Sequence, residues 1–253
     1  MVKASPRKRP AASTKVVTPT SRRQRPARES RQYSTAPVAL RHMQLAKGGC
    51  FEPIFVLAPG ASNRINPHAR NCLGRVGTVR EFVYPVNGTP NLVSLRETCL
   101  EAHLRAANAA AKAAPGQPIW LVGVSFGSRC AAELIANKMP LPRAIRGLIA
   151  FGYPLVSLGD QKETDPKKRK QDRSLPLLGL PRGKRVLLVS SKGDPFLGGK
   201  QGAELNCIAR RMAAFCCVEL LRGRSHDPIS ENNIEDMAEL VRRFVRNTNR
   251  SHL

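Results

Sequence analysis

The sequence predicts an α/β fold: a mostly parallel, twisted sheet with helices on both faces. Three observations carry this prediction. Compact apolar runs recur from about residue 50 onward, helical stretches separate them, and Pro or Gly marks many of the boundaries. A strand buried on both faces reads as an unbroken apolar run, and such runs are the mark of parallel sheets.

The elements follow in order. Residues 53–58 (Pro-Ile-Phe-Val-Leu-Ala) form an apolar run before Pro59-Gly60, which suits a buried strand ending in a turn. Val79 to Tyr84 is a second strand. Ser94 to Ala114 is rich in Ala, Leu, Glu and Arg and stops at Pro115-Gly116, so it reads as a helix. Ile119 to Val124 is another buried strand, and Phe126 to Lys138 a helix ended by Pro140 and Pro142. Ile145–Phe151, Arg185–Val189 and Cys216–Leu221 supply three more strands. Helices are expected at about 203–214 and 233–246. There is no internal repeat.

Composition sets the outer bounds. A chain of 253 residues with 42% hydrophobic and 24% charged residues can bury a substantial core, which excludes a wholly disordered or collagen-like chain. No apolar run approaches the roughly 18 to 20 residues that span a bilayer, so no membrane span is expected. Lys3, Arg7, Lys8 and Arg9 lead into Pro10, not into the apolar stretch of a secretory signal. Seven cysteines without a C-x-x-C pair argue for reduced thiols and an intracellular location, in nucleus or cytoplasm, with organelle import left open.

Charge is the outlying property. The chain carries 42 basic against 18 acidic residues, a net of +24. Residues 1–48 hold 12 Lys and Arg and a single acid, Glu29, with five prolines and few large apolar side chains. Such a segment buries too little surface to offset its ordering entropy, so it reads as a disordered basic tail before a domain at 49–253. A solvated spacer is its plain role. A nuclear signal around Pro6-Arg7-Lys8-Arg9-Pro10, an organelle presequence, or weak nucleic-acid contact are the functional alternatives.

The chemistry-bearing motif is Gly123-Val124-Ser125-Phe126-Gly127, a G-x-S-x-G pentapeptide. It directly follows the strand Ile119–Val124 and opens the helix at Phe126, the strand–turn–helix setting of a nucleophile elbow. Small residues at Gly123 and Gly127 permit the sharp turn. The serine hydroxyl is then exposed above the sheet, and the N–H of Phe126 points at the space where an oxyanion would form. A serine needs a base, and five histidines are available. His42 lies in the tail, His252 beside the C-terminus and His103 inside a helix, while His68 comes too early. His226, in the loop after the last strand, remains. Chain order in α/β-hydrolases is Ser, then Asp or Glu, then His. Asp194, in the loop after the strand at 185–189, fits as the acid. Asp160 is its rival, with Asp165 and Asp172 in a charged loop expected to be exposed. All three chosen residues fall at C-terminal strand edges, where open α/β sheets place their sites.

The stretches Pro59-Gly60-Ala61-Ser62, Gly123 through Arg129, Phe151-Gly-Tyr-Pro-Leu155, Lys192-Gly-Asp-Pro-Phe196 and Ser225-His226 resemble an α/β-hydrolase group. That group contains testis-expressed protein thirty and the hydrolase-like third subunit of the NSL histone-acetyltransferase complex. The resemblance covers about residues 50 to 247. It implies Ser125 as nucleophile, His226 as base, Asp194 as orienting acid, and the N–H groups of Ala61 and Phe126 as the oxyanion hole. This chain departs from the group at two places. Pro59-Gly60 stands where relatives carry His-Gly, which removes a backbone donor and a bracing side chain. Residues 160–174 insert a charged loop containing Lys167-Lys168-Arg169-Lys170, read as a solvated surface loop or else as a nuclear signal or anionic-partner contact.

Plain readings suffice elsewhere. Trp120 belongs in the core, Cys130 is a small buried hydrophobe, and Cys216 and Cys217 point to opposite faces of a strand. Gly198, Gly199 and Gly202 lack dinucleotide-binding spacing, so no cofactor and no metal are expected. The leading expectation is a serine hydrolase acting on a small-molecule ester, thioester or amide. The alternative is a non-catalytic binding or scaffold module with a protein partner, such as a chromatin-associated complex.

Overall fold

The computed structural model describes residues 41–43, 52–86, 95–137, 139–163, 165, 168–198 and 200–249. The rest of the basic tail, with its Pro6–Pro10 cluster, lies outside the described residues. So do Lys138, Lys167, Gly199 and His252.

Seven strands form one sheet: β1 (Arg41–Met43), β2 (Ile54–Ala58), β3 (Thr78–Glu81), β4 (Ile119–Val124), β5 (Ile145–Phe151), β6 (Arg185–Ser191) and β7 (Phe215–Leu221). Their order across the sheet is β1-β3-β2-β4-β5-β6-β7. β1 runs antiparallel to β3, with Arg41 opposite Glu81, and every other neighbouring pair is parallel. Three residues of the stretch assigned to the tail therefore contribute an edge strand. The central strands β2, β4, β5 and β6 are buried almost throughout, which is why they read as apolar runs, whereas β7 at the edge is half-buried.

Helices cover both faces, as expected. On one side α2 (Arg96–Ala113), α3 (Phe126–Ala136), the short α4 (Leu175–Leu178) and α5 (Ala203–Arg211) pack against Ile54, Val56, Leu121, Leu148 and Leu188. On the other, α1 (Pro67–Gly74) and α6 (Ile234–Asn249) cover Phe55, Leu57, Trp120, Ile149 and Leu187. Strand residues alternate between the two cores because successive Cβ atoms point to opposite sides. Trp120 is 1% exposed, with its ring 5.2 Å from that of Phe244 on α6. Cys216 and Cys217 pack toward opposite faces in the same way.

Two local expectations are corrected. β3 ends at Glu81, and the segment Phe82–Tyr84, with Phe82 and Tyr84 buried and Val83 exposed, leaves the sheet. Tyr84 gives both its backbone groups to one side chain: its N–H donates to Asn63 Oδ1 at 2.9 Å, and its carbonyl accepts from Asn63 Nδ2 at 2.9 Å. A neighbouring strand would need those same groups. The helix α1 was not anticipated. Asn66 caps it by accepting from the N–H groups of His68 and Ala69, and Pro67 occupies its first turn.

The chain leaves β2 toward β3 and then returns to place β4 on the other flank of β2. Loops after β2 and β4 thus diverge at one switch point, which opens a crevice above the C-terminal ends of those two strands. Among the described residues no helix is long and apolar enough to cross a membrane.

Candidate active site

Ser125 sits in the turn between β4 and α3 with φ 52° and ψ −117°, a conformation rare for any residue but glycine. Close approach of the flanking chain holds it there. A Cβ on Gly123 would fall 2.2 Å from the Ser128 nitrogen, and one on Gly127 2.4 Å from the Pro59 oxygen. The Ser125 N–H donates to Phe151 O at 2.9 Å, and its carbonyl accepts from the Ser128 hydroxyl at 2.6 Å. The turn is therefore pinned on both sides of the peptide, and the hydroxyl projects from it.

His226 lies against that hydroxyl. Its Nε2 is 2.7 Å from Ser125 Oγ, and its Nδ1 is 2.9 Å from Asp194 Oδ2. The Asp194 side chain has no exposed surface, whereas that of His226 is 24% exposed. A buried carboxylate beside Nδ1 favours the tautomer with its proton on Nδ1, leaving the Nε2 lone pair directed at the serine. Asp194 Oδ1 accepts from the Phe196 N–H at 2.8 Å, and the Phe196 ring lies 4.3 Å from the imidazole centre. The Asp-Pro-Phe stretch thus orients both the carboxylate and the ring it faces. Asp160 is elsewhere: it is buried, accepting from Ser157 Oγ at 2.6 Å and from the Lys170 N–H at 3.5 Å.

Above the serine lies the loop from Pro59 to Ile65. The Phe126 N–H, first of α3, has no acceptor within the helix. Ala61 lies in the adjoining turn, closed by the Asn63 N–H donating to Gly60 O at 3.0 Å. Pro59 contributes no N–H, but Asn63, at φ 55°, clamps the loop to Tyr84 through its two side-chain bonds. The Tyr84 ring in turn packs edge-on to Phe126 at 5.7 Å. One buried tyrosine therefore links the two segments that carry Ala61 and Phe126.

Other residues around His226 carry no motif. Gly152, at φ 63°, lies so close that a Cβ there would meet the His226 carbonyl at 2.1 Å. Asp227 accepts from the Asn66 side chain and, at 3.2 Å, from the Ile229 N–H. Burial raises its carboxyl above the usual range. The charged insertion is also less solvated than expected. The Arg169 side chain is 4% exposed and bonded through both terminal nitrogens to Glu204 on α5, and Arg173 is buried as well. Each arginine is drawn inward by at least one acceptor outside the insertion, Glu204 for Arg169 and the Val156 carbonyl for Arg173.

His68 lies in α1, and His103 is fully buried in α2. Clefts between β7 and α6 and beside α2 contain none of the residues around Ser125. Among the described residues no three His, Cys, Asp or Glu side chains converge as metal ligands.

The geometry defines an α/β-hydrolase fold. Residues 89–196 match the family model described as an alpha/beta hydrolase domain. Three solved structures share the fold. The inhibited esterase B of Lactobacillus rhamnosis has 14% identity and a TM-score of 0.63, covering 87% of this chain and 85% of its own. The highly thermostable carboxyl esterase of Bacillus coagulans has 11% identity and a TM-score of 0.62, covering 86% and 96%. The dienelactone hydrolase of Anabaena variabilis has 12% identity and a TM-score of 0.58, covering 85% and 94%. No curated protein matches this chain.

Proposed function

We propose that this protein is a serine hydrolase that cleaves a carboxylic ester, thioester or amide through an acyl-enzyme at Ser125. The observation that carries the reading is the hydrogen-bonded run from Ser125 Oγ to His226 to Asp194, at 2.7 and 2.9 Å. Oγ attacks the carbonyl carbon while His226 Nε2 takes its proton, and the carbonyl electron pair moves onto oxygen. The N–H groups of Phe126 and Ala61 stabilise that oxyanion. Collapse expels the alcohol, thiol or amine, which collects the proton from His226, and a water repeats the sequence to release the acid. Asp194 holds the imidazole tautomer and offsets the charge of the imidazolium. Esters come first among the substrates because two of the structural neighbours are named as esterases.

A second reading is a non-catalytic binding module, suggested by Pro59 and by the resemblance to the group with a chromatin-complex subunit. The Asn63–Tyr84 clamp favours the enzyme, since it supplies the bracing that Pro59 removes. A fluorophosphonate probe separates the two, because it reports activated serines. Labelling should vanish in Ser125→Ala and fall by orders of magnitude in His226→Ala and Asp194→Asn, with Asp160→Asn close to wild type. A folded protein that takes up no label would establish the binding module instead.

A further inference from the structure

Arg129 stands one helical turn past Ser125, about 6 Å further along α3. Its Nε is buried without a hydrogen-bond partner. Its two terminal nitrogens keep contact with solvent, and among the described residues none of its three nitrogens meets an acceptor. Arg173 is near enough for the Arg129 charge to oppose its own, and it is 9% exposed. Arg173 donates only to neutral oxygens, Gln171 Oε1 at 3.2 Å and Val156 O at 2.9 Å. The Tyr153 hydroxyl donates to the Arg173 carbonyl at 2.8 Å and fixes that segment beside α3. Arg96, the third arginine nearby, is already paired with Glu133.

Two neighbouring guanidinium groups, Arg173 buried and Arg129 open to solvent only at its terminal nitrogens, favour an anion at that open edge, because a charge partly withdrawn from water gains from compensation. Burial and Arg129 push Arg173 down to about 10, with Asp160 pulling the other way; burial is also the main influence lowering Arg129. Both stay charged at neutral pH. Of the chain's 18 acidic residues only Glu29 lies outside the described ones, and none of the described acids is paired with Arg129. A planar guanidinium with its terminal nitrogens turned outward matches the two oxygens of a carboxylate.

We propose that Arg129, backed by Arg173, binds a carboxylate carried by the substrate beside Ser125. This rests on the acyl-enzyme reading and deepens it: the preferred substrates are esters whose acyl or alcohol part ends in an acid group. The reacting carbonyl and the carboxylate are then held at the two ends of the first turn of α3.

The test compares 4-nitrophenyl hydrogen glutarate with 4-nitrophenyl valerate on the full chain. The acidic ester should have the higher kcat/KM by at least about tenfold. Arg129→Gln should reduce that ratio by about tenfold or more, and Arg129→Lys should restore part of it. Calorimetry supplies a readout free of turnover. Glutarate should bind Ser125→Ala at one site per chain at physiological salt, and the added Arg129→Gln change should abolish it. If Arg129→Gln does not fold, the substrate preference and glutarate binding of the unsubstituted Arg129 protein decide. Glutarate binding that depends on Arg129, with neither ester cleaved, would remove the acyl-enzyme reading and leave the carboxylate site standing. Valerate cleavage without a preference for the acid, together with no glutarate binding, would overturn the carboxylate site alone.

Discussion

The side-chain amide of Asn66 donates to the carboxylate of Asp227, joining the first turn of α1 to the loop that carries His226. Asn66 lies at the end of the loop that contains Ala61, and Asp227 is the residue after His226. One hydrogen bond thus couples the two loops that overhang Ser125. Asn66→Ala removes this link and also the α1 cap, so it should lower stability by about 1–2 kcal/mol. It should also slow fluorophosphonate labelling more than it lowers the melting temperature would suggest. Asn66→Ser, which restores a cap but not the link, separates the two effects: it should recover stability and not labelling.

Gly152→Ala should be among the most disruptive single-methyl changes in the chain. The added Cβ meets the His226 carbonyl at 2.1 Å, at a φ of 63° that alanine adopts only under strain. The His226 loop must move, so labelling of Ser125 should collapse. The folded state should lose on the order of 1–3 kcal/mol, read by urea denaturation.

Arg169 and Lys168 are neighbours in the charged insertion with opposite environments. Arg169 is bonded to Glu204 with 4% of its side chain exposed, and Lys168 is exposed. Arg169→Ala should therefore cost several times as much stability as Lys168→Ala, on the order of 2 kcal/mol against a few tenths. Equal melting temperatures for the two variants would contradict the inward placement of Arg169.

His103 ties stability to pH. It is fully buried in α2 without a partner on either ring nitrogen, and burial lowers its pKa from 6.5 to about 3. The unfolded chain takes up a proton near 6.5 and the folded chain does not, so this contribution is present above pH 6.5. It is lost as the pH falls from there toward 3. By pH 5 the loss is about 2 kcal/mol. His103→Leu should flatten the difference in urea midpoint between pH 7.5 and pH 5, whatever its effect at neutral pH.

Truncation tests where the domain starts. Removing residues 1–40 spares Arg41–Met43, whereas removing 1–48 takes away β1 and leaves the edge of β3 unpaired. We propose that the shorter deletion leaves the melting temperature unchanged. The longer one should lower it by a few degrees, as expected for about 1 kcal/mol in a domain of this size.

The central sheet was legible because β2, β4, β5 and β6 are buried on both faces and so are apolar almost from end to end, as Phe55, Leu57, Leu121 and Leu188 show. The elbow was legible because its geometry needs small residues at fixed offsets from Ser125. What escaped depends on distant partners. α1 has only Ala69, Cys72 and Leu73 to bury, too few for a helical period, although Asn66-Pro67 is a readable start. Tyr84 looked like strand because nothing local reveals that Asn63 occupies its backbone groups. Gly152 was visible within Phe151-Gly-Tyr-Pro, but its reason is a carbonyl 74 positions away in the sequence, at His226. Asn66 and Asp227 are separated by 161 positions, and their contact exists only once the sheet has closed.

The backbone at Ser125 has an evolutionary corollary. Holding a serine at φ 52° and ψ −117° costs the fold about 1–3 kcal/mol. A glycine would adopt the same angles freely, and its looser unfolded chain would take back only up to about 1 kcal/mol. Ser125→Gly is therefore expected to give a protein at least as stable, with every surface used for docking intact. A lineage that had given up turnover would find that substitution neutral or downhill at every generation. The hydroxyl is thus a group whose presence calls for a use, and under the acyl-enzyme reading proposed above its loss in a descendant would date the end of turnover.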